Sequence, residues 1–166
     1  MGARILVAYA TKKGSTAEIA EAVGKELQSA GHEATVKEMK EVVALEKYDA
    51  IVLGAPVYMG KMIEIGKFVK RFREKLAAKP VAVFAVGTAP ISNNPKQIED
   101  ETTLPSQSIA PQEPVSTALF AGKVDPEKFG FIMRKMVAAD PTVVGDHRDW
   151  DAIAAWAGEL PGKMGL

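Results

Sequence analysis

Short, wholly apolar runs alternate along the chain with longer stretches whose apolar residues recur every three or four positions. Residues 3–9 (ARILVAY) form the first run; β-branched residues and a following turn signal predict a buried strand. Ile19, Ala20, Val23 and Leu27 then share one stripe of a helix, with Glu18, Glu21, Lys25 and Glu26 opposite. Ser15 with Glu18 three residues later predicts a capping box at its start, and Gly31 a left-handed stop past its end. Residues 34–38 predict a second, less apolar strand nearer an edge.

Residues 48–54 (YDAIVLG) predict a third, central strand, and 55–62 a turn-rich stretch. Ile65, Phe68, Val69, Phe72 and Leu76 predict a helix over 65–77. Pro80 opens a fourth strand over 81–86, which ends at Gly87. A fifth, over 115–121, leads through Asp125-Pro126 into a helix over 127–138. Asp149 caps a last helix over 150–160, and Pro161-Gly162 ends it. The pattern breaks at 88–114. Prolines at 90, 95, 105, 111 and 114 predict a long loop insertion, within which Asn94-Pro95 can open a short helix over 96–103.

Five β-rich runs alternating with helices imply an α/β fold: a parallel sheet covered on both faces, in one domain over 1–166. Composition narrows the chemistry. The chain has no cysteine and two histidines, His32 and His147, which excludes disulfides, Fe–S clusters and thiolate zinc and predicts no metal site. His32, after Gly31 at a helix end, reads as a surface residue. Acidic and basic side chains number 21 each, so bulk charge predicts no nucleic-acid partner. No apolar run approaches the ~20 residues of a spanning helix, and the N-terminus lacks a signal-peptide pattern; both predict a cytoplasmic protein.

Ligands of open α/β sheets bind outside the carboxyl ends of the strands. The loop after the first strand carries Thr11, Lys12, Lys13, Gly14, Ser15 and Thr16. Hydroxyls, a glycine, two cations and a helix N-terminus suit a cradle for one phosphate; the other reading of the same residues is a plain strand-to-helix turn with a capping serine. The spacings of the nucleoside-triphosphate and dinucleotide loops are absent. The loop after the third strand holds Pro56, Val57, Tyr58, Met59 and Gly60, an aromatic able to stack on a flat ring beside a glycine. The loop after the fourth begins Gly87-Thr88-Ala89. Together they suit a flat heterocycle on a phosphorylated chain.

With YATKKGSTAEIAEAV at 9–23, YDAIVLGAPVYMGK at 48–61 and VAVFAVGT at 81–88, the chain resembles the flavodoxin-like FMN-binding proteins along nearly its whole length. The residues 121–125 (AGKVD) and 145–150 (GDHRDW) are similar to the group of flavodoxin domains that includes the bacterial flavodoxin-type protoporphyrinogen dehydrogenases. The resemblance implies a flavodoxin-like three-layer α/β/α sandwich with strand order 2-1-3-4-5, and FMN as cofactor. It implies that Thr11, Lys12, Lys13, Gly14, Ser15 and Thr16 hold the phosphate. Val57, Tyr58, Met59 and Gly60, with Pro56 beside them, would pack on the isoalloxazine. Gly87, Thr88 and Ala89 would meet its pyrimidine edge. The implied activity is electron transfer or an FMN-dependent oxidoreductase acting on a quinone- or protoporphyrinogen-type substrate, with a redox partner protein or quinone as partner.

Two charge patterns stand outside that picture. Lys67, Lys70, Arg71, Arg73 and Lys75, flanked by Lys61 and Lys79, give a basic helix near 67–75: a solvated outer face, or a surface for peripheral contact at the inner face of a membrane. In Asp146–Trp150, Asp149 reads as a cap, Trp150 as packed and the rest as exposed. The sequence argues against a phosphoacceptor receiver domain, since Gly54-Ala55 stands where its aspartate belongs. A non-catalytic binding module of the same fold, without flavin, is the alternative, and a colourless protein that ignores FMN is its signature.

Overall fold

A computed structural model describes residues 2–12, 14–92, 94–124 and 145–166. The helix expected over 127–138 and the Lys13 of the first loop lie outside the described residues. Strand β1 (Arg4–Tyr9) leads to helix α1 (Ser15–Ser29) and β2 (Glu33–Glu38). Then come β3 (Ala50–Tyr58), β4 (Lys61–Met62), α2 (Ile65–Ala77), β5 (Val81–Gly87), α3 (Pro95–Ser108) and β6 (Ser116–Ala121). Strands β7 (Lys123–Val124) and β8 (Gly145–Asp146) precede the last helix, α4 (Trp150–Lys163). Five parallel strands run in the order β2-β1-β3-β5-β6, which is 2-1-3-4-5 in the count of expected strands. The implied flavodoxin-like α/β/α sandwich is the observed architecture.

Both sheet faces are dry because the strand side chains alternate between two helix layers. Ile51, Leu53 and Ala55 of β3 face α2 with Phe68, Val69, Phe72 and Leu76, while Ala50 and Val52 face α1 and α4 with Ile19, Val23, Leu27 and Ile153. Each large aliphatic side chain removed from water contributes about 1.5–3 kcal/mol. On the α1–α4 side, Phe84, Phe120 and Trp156 meet with ring centroids 5.7–5.9 Å apart. The Trp156 indole N–H is satisfied by Ser116 Oγ at 2.9 Å. Gly54, paired with Phe84 in register, makes this cluster possible, because the Phe84 ring lies where a Cβ on Gly54 would be.

The structure departs from the sequence reading in five places. The third strand does not stop at Gly54; it runs to Tyr58 and folds back as β4, pairing Val57 with Met62 and Tyr58 with Lys61. Pro56 gives no donor to this ladder, but its carbonyl accepts from the Ile63 N–H at 3.2 Å. Met59 (φ 52°) and Gly60 (φ 76°) close it with the two positive φ values of a type I′ turn. The long loop at 88–114 is mostly α3, a 14-residue crossover helix. Asn94 Oδ1 caps it by accepting from the Lys96 and Gln97 N–H groups.

The capping box at Ser15 and Glu18 does not form. Gly14 is the N-cap, left-handed at φ 91°, and as a glycine it brings no side chain to cap the helix. Helix α4 runs through Pro161-Gly162 to Lys163, since Leu160 and Met164 on either side are buried and packing carries the last turn. Finally, Arg148 is not exposed and Trp150 is not packed: the Arg148 side chain is 5% exposed, Trp150 is 42% exposed, and the guanidinium lies 4.7 Å from the Trp150 ring centroid. Asp149 does cap α4, with Oδ1 accepting from the Ala152 N–H at 3.0 Å. His32 is half-buried, and its Nδ1 accepts from the Ala3 N–H at 3.0 Å.

Candidate functional site

The loops after β1, β3 and β5 all leave the carboxyl edge of the sheet, and the structure brings them together. In the first, the Gly14 N–H donates to Thr11 Oγ1 at 3.0 Å, which turns the chain sharply into α1. Thr16 is buried. Thr11 and Ser15 are the hydroxyls of this loop left partly open to solvent, Thr11 already accepting from Gly14. With a glycine as N-cap, the first-turn amides of α1 receive no N-cap side chain and point at this space, an arrangement that favours an anion by about 0.3–2 kcal/mol. Among the described residues nothing lies within 4 Å of where a Cβ on Gly14 would stand.

Lys12 joins the first loop to the second: its Nζ lies 5.0 Å from the Tyr58 ring centroid. Tyr58 is half-buried at the end of β3, and burial pushes its phenol above the ordinary range. Met59 and Gly60 stand out at the hairpin tip, Met59 83% exposed. Behind them opens a cavity of about 330 Å³, lined by Val57, Tyr58, Met59, Gly60 and Thr88 on the loop side.

The third loop is already occupied. Ala89 is fully buried and its N–H donates to the Glu101 carboxylate; Thr88 Oγ1 accepts from Gln97 Nε2 at 3.1 Å. The place a Cβ on Gly87 would take is filled by the Glu101 carboxyl. The cavity's second wall is thus α3, through Asn94, Lys96, Gln97, Asp100 and Glu101. These residues escaped the sequence reading because the helix carries a mostly polar sequence with a proline inside it. The available signal was the i, i+4 spacing of Gln97 and Glu101 behind an Asn-Pro helix start.

Beside the first loop, β7 and β8 form a two-residue ribbon, pairing Lys123 with Asp146. It carries Arg148, whose Nη1 reaches Glu18 of α1 at 2.7 Å and whose Nη2 reaches Asp146 at 2.6 Å. Hydrogen bonding from Arg148 holds the Asp146 carboxyl down at about 2, and Asp146 and Glu18 hold the guanidinium firmly charged. The 145–150 segment therefore braces the start of α1.

The basic helix is largely committed to the fold. Arg71 donates to the Val42 carbonyl at 3.0 Å, Arg73 to that of Ala110 at 3.2 Å, and Lys79 to that of Tyr48; Lys75 pairs with Glu46 at 3.5 Å. Lys61, Lys67 and Lys70 remain on the exposed side. Among the described residues, no helix is long and apolar enough to cross a membrane, and no cluster of metal-ligating side chains occurs.

The family model of the flavodoxin domain matches residues 6–149. The chain belongs to the flavodoxin domain family. That family is one of FMN-binding electron-transfer proteins. Among its relatives is the protoporphyrinogen IX dehydrogenase [quinone] of Escherichia coli (strain K12), 23% identical, with 95% of this chain and 94% of the relative covered. The Streptococcus pneumonia TIGR4 flavodoxin superimposes with a TM-score of 0.58 at 19% identity, over 97% of this chain and 99% of its own. A flavoprotein from Lactobacillus acidophilus NCFM, solved in complex with FMN, gives 0.55 at 14% identity, over 71% and 93%. The flavodoxin-domain loops of this chain fit such a cofactor by their own geometry. A helix start with an open glycine as its N-cap suits a phosphate, and an aromatic at a cavity mouth suits a flat ring.

Proposed function

We propose that this flavodoxin-domain protein binds FMN through Thr11–Thr16, Pro56–Gly60 and Gly87–Ala89, and works as an FMN-dependent oxidoreductase. Its electrons pass to or from a quinone, a protoporphyrinogen-type substrate or a redox partner protein. The observation that carries the reading is the convergence of Lys12, from the phosphate-type loop, on Tyr58, which lines the cavity. FMN, when bound, supplies the acceptance and release of electrons.

The protein's own residues do the rest. The α1 amides, Ser15 and Lys12 hold an anion at the helix start. Tyr58 and Val57 present an apolar face. The β3–β4 hairpin sets Met59 and Gly60 at the rim, where a partner would dock. The 23% identity to a quinone-linked protoporphyrinogen dehydrogenase, end to end, favours the enzyme over a bulk carrier, as does the absence of a net acidic charge that would draw basic reductases. Lys61, Lys67 and Lys70 offer peripheral contact with an anionic membrane, which cosedimentation with anionic vesicles at low and high salt would reveal or dismiss.

The deciding experiment is the visible spectrum of the purified protein, with its chromophore released and identified and FMN added back to the stripped form. A yellow protein that releases FMN, then oxidises a protoporphyrinogen or reduces a quinone, carries the proposal. A colourless protein that ignores FMN overturns it in favour of a flavin-free binding module.

A further inference from the structure

The wall that α3 gives the cavity holds a group the fold alone does not call for. Gln97 and Glu101 stand one turn apart and share a face. Glu101 is 5% exposed, yet its partners are neutral: the Ala89 N–H, and Gln97 Nε2 at 3.1 Å from Oε2. Gln97 ties the same assembly to Thr88, and glycine at position 87 leaves the carboxyl its room. As a brace for the loop after β5, this side chain needs only to meet the Ala89 and Gln97 amides, which a glutamine does once the Gln97 amide is turned over to accept. A carboxylate buried among neutral donors costs stability that the amide would not. What it adds is a proton that can be bound or released at the cavity wall.

Burial raises the Glu101 carboxyl above its ordinary range, and the bonds from Gln97 and Ala89 pull part of the way back. The other titratable groups lining the cavity are Tyr58 of β3, and Lys96 and Asp100 of its own helix; Lys61 of β4 follows Gly60 in the hairpin and is exposed. Arg73 of α2 is spent on the Ala110 carbonyl past the end of α3, and β5, residues 89–91 and β6 bring none.

We propose that Glu101 is the proton-exchanging carboxyl of this site. It takes one proton from water as electrons from a reduced partner protein enter the site, and returns it as they leave. The partner is oxidised, no covalent bond forms, and the proton offsets one unit of the negative charge gained. This rests on the FMN reading above.

The test compares the wild type, Glu101→Gln and Gln97→Met, each loaded with FMN, by midpoint potential from about pH 5 to pH 9. A second readout follows the Glu101 carboxyl-carbon resonance in the unloaded protein. The wild-type potential should bend with pH at the Glu101 midpoint, and that resonance should titrate above those of the surface glutamates. Glu101→Gln should lose the bend and show a higher potential on the alkaline side, while Gln97→Met, which loosens the brace and keeps the carboxyl, should retain the bend. An unchanged profile in Glu101→Gln would overturn the proposal and leave Glu101 a brace. Failure of the wild type to take up FMN would overturn the cofactor reading and this inference with it.

Discussion

Arg148 Nη1 and Glu18 Oε2 lie 2.7 Å apart although 130 residues separate them in sequence. The contact ties the segment after β8 to the first turn of α1, where the phosphate-type loop ends. The guanidinium is nearly buried, while Glu18 is 63% exposed. The two partners should therefore respond unequally. Arg148→Ala should lower stability by about 1–3 kcal/mol, because it removes a nearly buried side chain together with its charge-assisted hydrogen bonds to Asp146 and Glu18. Glu18→Gln should cost about 0.5 kcal/mol. Urea unfolding midpoints of the two variants would show the difference.

Two carboxyls should bend the pH dependence of stability in opposite directions. Asp146 titrates at about 2, below its ordinary 3.8, chiefly through the hydrogen bonds from Arg148. A folded-state value below the unfolded one stabilises above pH ~4 and is lost as pH falls toward ~2. Asp146 is 41% exposed, so solvent screening holds the effect to about 1 kcal/mol or less. Glu101 is shifted upward by burial. Its contribution is present below the unfolded value and lost as pH rises through the folded one. Asp146→Asn should thus flatten the acid limb of a stability–pH curve, and Glu101→Gln should raise stability at neutral and alkaline pH.

At the first loop, charge and backbone geometry can be separated. Lys12→Met removes a cation from the Tyr58 face and from the anion site, and should weaken FMN uptake about two- to five-fold, from the ~0.5–1 kcal/mol of an exposed cation–π contact. Gly14→Ala forces a side chain into the left-handed region, at about 1–2 kcal/mol. It should lower both melting temperature and FMN affinity, because the same backbone turn aims the α1 amides. Fluorescence-quenching titrations beside thermal melts would distinguish the two variants.

Gly54→Val should be among the most damaging single changes outside the site. The Phe84 ring occupies the volume the new side chain would need, and its neighbours Phe120 and Trp156 hold it in place. Overpacking of this kind costs about 1–3 kcal/mol or more. Differential scanning calorimetry would measure it.

The hydrophobic pattern made the sheet legible because buried parallel strands are short, continuous apolar runs, as in 4–9 and 81–87. Helix α2 was legible to the residue, since Phe68, Val69, Phe72 and Leu76 repeat at helical spacing. Helix α3 was not: only Glu101 and Pro105 of its 14 residues are buried, so packing left little periodic trace. The Ser15–Glu18 capping box was a sound local pattern, overridden by a glycine N-cap and by an arginine 130 residues away. The convergence of the loops after β1, β3 and β5 was legible, because glycines, hydroxyls and an aromatic at the ends of parallel strands mark one edge of the sheet. The cavity wall was not, because pairing Glu101 with Gly87 is a tertiary event.

The cavity is bounded by parts of the chain with different obligations. Strand ends and the hairpin tip set its floor and rim, and each is bound into the sheet. The other wall is the polar side of a helix that contributes little to the core. Substitutions there need not disturb the anion loop or the aromatic platform. Lineages descending from this scaffold can therefore rewrite what enters the cavity while inheriting the loops after β1, β3 and β5 intact, and residues 94–101 are where such divergence between relatives should first be read.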